Sequence, residues 1–234
     1  MEKHCLIITA HIDAPETLPI DGSQYSCVIC ADGGLTHARA LGIQPDYLIG
    51  DFDSESGIPP VSTDSGSQTG SAGAAAASEN GAVLSHCEII RLPAEKDMTD
   101  TEAAIDLAVS LGCQRITCLG GLGGRFDHTM GNIGMLSKYC GSGIELDFVD
   151  GINRVTMLPP GTYRVPRGEW KYLGFFAWGG PVTGLTLSGT KYPLADFTLH
   201  DDTSRCVSNE ITDDPAAVTF RTGRLLMIQS SDIR

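Results

Sequence analysis

Six aspartates lie at or just past short apolar, strand-like runs: Asp32, Asp51, Asp53, Asp97, Asp100 and Asp127. Carboxylates gathered in one crevice repel each other unless a cation sits among them, and Mg2+ favours a few carboxylate oxygens together with waters and phosphate oxygens. The pattern predicts a Mg2+-polyphosphate site. In Gly50-Asp51-Phe52-Asp53-Ser54 an extended chain would turn Asp51 and Asp53 to one side and Phe52 to the other, so that the two carboxylates share a cation. Thr99-Asp100-Thr101-Glu102 reads as a capping box opening a helix, with Ala103, Ala104, Leu107, Ala108 and Leu111 as its apolar stripe and Gly112 past its end. Capping accounts for Thr99 and Glu102 but not for Lys96-Asp97 just upstream, so Asp97 or Asp100 gains a ligand role.

Two glycine-containing turns complete the set. Gly120-Gly121-Leu122-Gly123-Gly124-Arg125-Phe126-Asp127-His128 joins a strand to a helix, where free backbone N–H groups and the helix N-terminus make a phosphate cradle and Arg125 can fork onto phosphate oxygens. It matches neither G-x-x-x-x-G-K-[ST] nor G-x-G-x-x-G. Asp127 has a simpler reading as a helix cap, and His128 as a packed or surface histidine. Ala31-Asp32-Gly33-Gly34 repeats the arrangement at another strand end, with glycines that let a nucleotide approach the backbone.

The elements that must position these residues alternate in type. Strands are predicted over His4 to Ala10, Ser26 to Ala31, Tyr47 to Ile49, Glu88 to Leu92, Arg115 to Leu119 and Glu145 to Val149, with helices over Leu35 to Leu41, Thr99 to Leu111 and Asp127 to Tyr139. Such alternation implies a mainly parallel sheet with helices on both faces and ligands beyond the carboxyl ends of its strands. A Ser/Gly/Ala-rich stretch over about 54–85 reads as a flexible insertion. After Asp150 come seven short β-type runs with no helix, which predicts a small β-sandwich or barrel, with Arg221 to Arg224 turning its last hairpin. The expected organisation is therefore an α/β domain over 1–150 and a β-sandwich domain over 151–234.

Composition narrows the function classes. A net charge of −13 with only 16 basic residues argues against nucleic-acid or anionic-membrane partners, and the apolar run after Met1-Glu2-Lys3-His4 is too short for a signal segment or a membrane span. A soluble, cytoplasmic protein is expected. Eight cysteines, mostly inside apolar runs, read as reduced core thiols. Cys27 and Cys30 match C-x-x-C, but a strand would point them to opposite faces.

Ala31-Asp32-Gly33-Gly34, Gly50-Asp51-Phe52-Asp53-Ser54, Lys96-Asp97-Met98-Thr99-Asp100 with Glu102, and Gly123 to His128 with Asn132 resemble the ordered signature of the thiamine pyrophosphokinases. The resemblance continues through Gly189 to Leu194, Ser208-Asn209-Glu210 and Gly223 to Leu226, and so covers essentially the whole chain. It implies an enzyme that moves the β,γ-diphosphoryl group of ATP onto the hydroxyl of thiamine, giving thiamine diphosphate and AMP. It also implies a homodimer whose active sites lie between subunits. On that basis Asp51, Asp53 and Asp100 hold Mg2+, with Asp97 next, and Asp100 is the candidate proton acceptor. Lys96 and Arg125 steady the triphosphate, and Asp32, Gly33, Gly34, Thr99, Gly123, Gly124, Asp127, His128 and Asn132 serve the nucleotide and its loops. Tyr192, Ser208 and Asn209 match the thiamine-contacting segments, an aromatic face suiting a cationic ring. Two other functions compete: a diphosphokinase for another heteroaromatic alcohol, such as a hydroxymethylpterin, and a non-catalytic sensor of nucleotide or thiamine.

Overall fold

A computed structural model describes residues 2–13, 20–52 and 87–232. The first half supplies six strands, β1 (His4–Ile8), β2 (Cys27–Ala31), β3 (Tyr47–Gly50), β4 (Glu88–Arg91), β5 (Arg115–Leu119) and β6 (Glu145–Val149). Between them run α1 (Gly34–Ala40), α2 (Asp100–Ser110) and α3 (Phe126–Tyr139). All five pairings among these strands are parallel, in the spatial order β4-β3-β2-β1-β5-β6. Because the strands are covered on both faces they are apolar almost throughout. Cys5, Ile7, Ile29, Ile116, Cys118 and Phe148 face α2 and α3, whereas Leu6, Ile8, Val28, Cys30 and Leu48 face α1. Cys27 and Cys30 accordingly pack on opposite faces, and all eight cysteines are free thiols.

The sheet does not stop at residue 150. β7 (Asn153–Leu158) turns back antiparallel to β6, and β13 (Leu225–Ser230) and β9 (Tyr172–Ala177) add beyond it, giving nine strands. A second, four-stranded sheet in the order β11-β10-β12-β8 comprises β8 (Gly161–Val165), β10 (Val182–Ser188), β11 (Leu194–Leu199) and β12 (Ala216–Phe220). Val182, Leu185, Leu187, Val218 and Phe220 of this sheet pack on Leu173, Phe175 and Leu225 of the long one, closing a β-sandwich.

The turn at Arg221 to Arg224 corrects the predicted hairpin. β12 pairs with β8 and β10 while β13 pairs with β7 and β9, so the chain here crosses from one sheet to the other. Two strands joined by a short turn read as a hairpin in sequence; which partner each takes is decided by the apolar faces they must bury. Among the described residues no helix is long and apolar enough to cross a membrane.

Candidate active site

Within the parallel part of the sheet the chain moves outward from β1 through β2, β3 and β4, then returns to the other side of β1 as β5. The strand order therefore reverses between β1 and β5, and the crevice at their carboxyl ends is where such sheets bind ligands. Thr9 to Asp13, Asp32 to Gly34, Asp51-Phe52, Leu92 to Thr99 and Gly120 to Arg125 all follow strand ends on this side.

A pocket of about 200 Å3 opens there, lined by Ala31, Asp32, Lys96, Thr99, Asp100 and His128 among others. Lys96 is its centre of charge. Its ammonium stands 3.2 Å from Asp100 Oδ1 and 3.7 Å from Asp51 Oδ2, and donates to the carbonyl of Pro93 at 3.3 Å. Asp100 Oδ1 is sealed from solvent, and the ammonium beside it lies off the line of a hydrogen bond, so its charge is balanced without a directed donor. Burial, reinforced by the Asp100 and Asp51 carboxylates, pushes the Asp32 carboxyl above the usual carboxylate range. Asp32 sits in the left-handed region (φ +46°) with its N–H bonded to Ile49. Three carboxylates around one ammonium leave an excess of negative charge that suits a divalent cation. Among the described residues no three His, Cys, Asp or Glu side chains are already gathered into a metal cage. The donor set thus fits Mg2+ in chemistry, with two of the three expected ligands, Asp51 and Asp100, brought onto one cation.

Asp53 lies outside the described residues, as does the predicted insertion over about 54–85. The extended geometry expected for Asp51 to Asp53 does not hold. β3 ends at Gly50 and Phe52 adopts φ +57°, a strained conformation for an aromatic residue. Phe52 is buried as expected, with the Arg91 guanidinium 5.5 Å from its ring centre. Asp97 is exposed and does not line the pocket. Thr99 caps α2 by accepting from the Glu102 N–H at 3.1 Å, but the Glu102 carboxylate accepts from Lys138 of α3 instead of completing a capping box.

The Gly120 to Gly124 loop differs from the open cradle expected of it. The N–H groups of Gly120, Gly121 and Gly123 donate to Val149, His11 and Thr129 Oγ1, and Asn132, buried, donates to the Gly121 carbonyl at 2.7 Å. A methyl group on Gly123 would lie 2.1 Å from Asp13 Oδ2, and one on Gly124 would lie 3.2 Å from the His11 ring. These glycines make room for a His11–Asp13 pair, joined at 3.1 Å, before they make room for a ligand. Gly34 is similar: a Cβ there would be 2.0 Å from the Ile8 carbonyl, so α1 reaches β1 only because residue 34 has none. Gly33, beside it, precedes the first turn of α1. Arg125 occupies the N-cap position of α3 and forks onto Asp127 at 2.6 and 3.2 Å, holding that carboxyl below the usual range, and Asp127 also accepts from the His128 N–H. His11, Asp13 and Thr129 were missed in the sequence. Asp13 follows β1 as the other aspartates follow their strands, which was the available signal.

Tyr192, Ser208 and Asn209 form a second cluster, in the β-rich half, and line neither the acidic pocket nor the groove described next. Asn209 is buried and spent on backbone: its Oδ1 accepts from the N–H groups of Tyr192 (2.9 Å) and Glu210 (3.0 Å), and its Nδ2 donates to the Tyr192 carbonyl (2.9 Å). It holds Tyr192 in place, and Tyr192 is left 58% exposed. Ser208, at φ +58°, is exposed beside it. A larger groove of about 580 Å3, lined by Arg115, Asp147, Arg154 and Trp170 among others, contains none of the predicted site residues.

Two family models match this chain: the thiamin pyrophosphokinase catalytic domain over residues 74–147 and the thiamin pyrophosphokinase vitamin B1 binding domain over residues 162–226. A thiamine pyrophosphokinase of Bacillus subtilis is 37% identical over 140 residues, 59% of this chain and 65% of that protein, so the chain spans just under two thirds of that curated relative. Among solved structures, a thiamine pyrophosphokinase from Bacillus subtilis has a TM-score of 0.79 at 26% identity, covering 99% of this chain and all of that one. One from Geobacillus thermodenitrificans has a TM-score of 0.72 at 30% identity, covering 99% of this chain and 98% of the other. With both domain models in order over more than half of its length, and structural agreement from end to end, the chain belongs to the thiamin pyrophosphokinase family.

Proposed function

We propose that the protein is a thiamine diphosphokinase, transferring the β,γ-diphosphoryl group of ATP to the hydroxyl of thiamine with release of AMP. The observation that carries this reading is the Asp51, Lys96, Asp100 cluster at the strand ends of a chain that belongs to this family. In the transfer the thiamine oxygen bonds to the β-phosphorus, the bond from that phosphorus to the α,β-bridging oxygen breaks, and the bridging oxygen leaves with AMP. Mg2+, held by Asp51, Asp100 and Asp53, would withdraw charge from the phosphate oxygens. Lys96 and Arg125 neutralise and orient the triphosphate. Asp97 is the next candidate for that set, and Asp100 accepts the alcohol proton. Asp32, Gly33, Gly34, Thr99, Gly123, Gly124, Asp127, His128 and Asn132 shape the nucleotide side, Asn132 by fixing the loop carbonyl it bonds.

Tyr192 and Ser208 face thiamine, with Asn209 bracing Tyr192 from behind. Because this cluster lies outside the acidic pocket of its own chain, we further propose a homodimer in which it completes the pocket of the partner subunit. A cytoplasmic location accords with eight free thiols. Incubation with ATP, Mg2+ and a panel of alcohols tests the reading: thiamine diphosphate and AMP, measured by mass spectrometry, are expected with thiamine. A product only with a hydroxymethylpterin would favour that substrate, and no product with any alcohol would leave a sensor. Mixing Tyr192→Ala with Asp51→Asn protein tests the dimer, since one composite site of each heterodimer receives both intact halves. Activity no greater than the sum of the parents, with heterodimers present by native mass spectrometry, would refute the shared site.

A further inference from the structure

We propose that Lys96 is the resident cation of the acidic pocket, and that a divalent metal can take up Asp51 and Asp100 only by displacing its ammonium. The inference rests on the metal assignment made above and extends it. Three observations support it. The ammonium is held much as a metal ion would be, by two carboxylates and a backbone carbonyl, Asp100 Oδ1, Asp51 Oδ2 and the oxygen of Pro93. The Lys96 side chain is only 13% exposed, so it is not a surface lysine that meets acids in passing. Its contact with the solvent-sealed Asp100 Oδ1 is electrostatic and lacks hydrogen-bond alignment, so the ammonium supplies charge without the directed bond that would lock it there.

Two positive charges drawn to one pair of carboxylates at these distances repel each other strongly, so metal and ammonium compete for the same negative charge. A bare metal ion must then displace Lys96 without bringing an anion to receive it. A metal that arrives with a polyphosphate brings the anion along, and the displaced ammonium can pair with phosphate oxygens a few ångströms away. Lys96 thereby makes metal and nucleotide each raise the other's affinity, a coupling that must be reciprocal. Its other consequence is that the crowded carboxylates stay partly compensated while no metal is bound.

Mn2+ titration of the nucleotide-free protein, followed by the electron-paramagnetic-resonance signal of free Mn2+, tests this. Lys96→Met is expected to bind Mn2+ about tenfold tighter than the wild type, because one competing charge close to the site is gone. Lys96→Arg, which keeps the charge, should stay near the wild-type value. Without metal, Lys96→Met should melt below the wild type and recover when Mn2+ is added. Mn2+ affinity that is unchanged or weaker in Lys96→Met overturns the exchange. Asp51→Asn and Asp100→Asn separate the two ideas: if both weaken Mn2+ while Lys96→Met does nothing, the metal site stands and only the exchange falls. If neither weakens it, the metal assignment fails and the exchange fails with it.

Discussion

The acidic pocket and the Gly120 to Gly124 loop occupy the same end of the sheet, yet they differ in what the protein has already done with their polar groups. In the loop the N–H groups of Gly120, Gly121 and Gly123 are bonded to Val149, His11 and Thr129, and Asn132 holds the Gly121 carbonyl. In the pocket three carboxylates surround one ammonium, a solvent-sealed oxygen of Asp100 lacks a directed donor, and Asp32 is pushed toward its neutral form. Groups that a fold satisfies internally are scaffold; groups left in electrostatic excess are where a ligand completes the balance. The Tyr192 cluster divides in the same way, with Asn209 consumed by backbone and Tyr192 left exposed.

The contrast would break most visibly at Asp51. Asp51→Asn should lower turnover by about 1,000-fold or more, since it removes charge aimed at the transferring phosphate. The metal-free melting temperature should stay within about 2 °C of the wild type, because Lys96 keeps Asp100 as a partner. Near-wild-type kcat in this variant would place the chemistry elsewhere.

Scaffold positions should show the reverse, losing stability first. The largest loss is expected for Gly34→Ala, whose Cβ would meet the Ile8 carbonyl at 2.0 Å with backbone on both sides and no rotamer to relieve it. The cost is about 3 kcal/mol or more, a fall of roughly 6 to 12 °C in Tm for a chain of this size. Next comes Asn209→Ala, which leaves the Tyr192 and Glu210 N–H groups without their acceptor, while the Tyr192 carbonyl keeps Thr190 Oγ1, and should cost about 2 kcal/mol. It should also weaken thiamine binding with nucleotide affinity unchanged, because Tyr192 loses its brace. Gly123→Ala should cost less, about 1 to 2 kcal/mol, because its clash is with the Asp13 side chain, which can swing, while the φ of +86° remains strained. Adding Asp13→Ala to Gly123→Ala should recover part of that loss and recover nothing in Gly34→Ala. Equal urea-unfolding losses at Gly34 and Gly123 would show that the backbone clash is relieved by movement of α1.

Much of this organisation could be read from residue order because it depends on local rules. Strands buried on both faces read as apolar runs, Thr99 announces α2, and Gly112 ends that helix in the left-handed region, as its position suggested. What escaped was decided by contacts distant in sequence. Glu102 abandons its capping role because Lys138, 36 residues on, offers an ion pair. The turn at Arg221 to Arg224 joins two sheets because β13 finds β7 and β9. Gly123 and Gly124 looked like room for a phosphate because nothing local revealed that His11 and Asp13 would press against them. In the same way, the sequence offered Lys96 as a phosphate ligand and gave no sign that its ammonium would lie between Asp51 and Asp100.

The smallest expected effect is also the most specific to electrostatic excess. Burial raises the folded-state pKa of Asp32 above its ordinary 3.8, and the Asp100 and Asp51 carboxylates add to the rise while Lys96 opposes it. A folded state that holds this proton more tightly than the unfolded chain loses stability as pH climbs from 3.8 to the raised value, and the penalty is complete above it. Asp32→Asn removes the charge and tolerates φ +46° as well as aspartate does. In metal-free buffer at pH 7 the variant should therefore melt above the wild type, with the gap closing as pH falls toward 3.8. Adding Mg2+ should also narrow the gap, because the cation compensates the charge that only the wild type carries there. An Asp32→Asn protein less stable than the wild type at pH 7, or a gap unchanged across that pH range, would mean that Asp32 is satisfied within the fold and belongs with the scaffold.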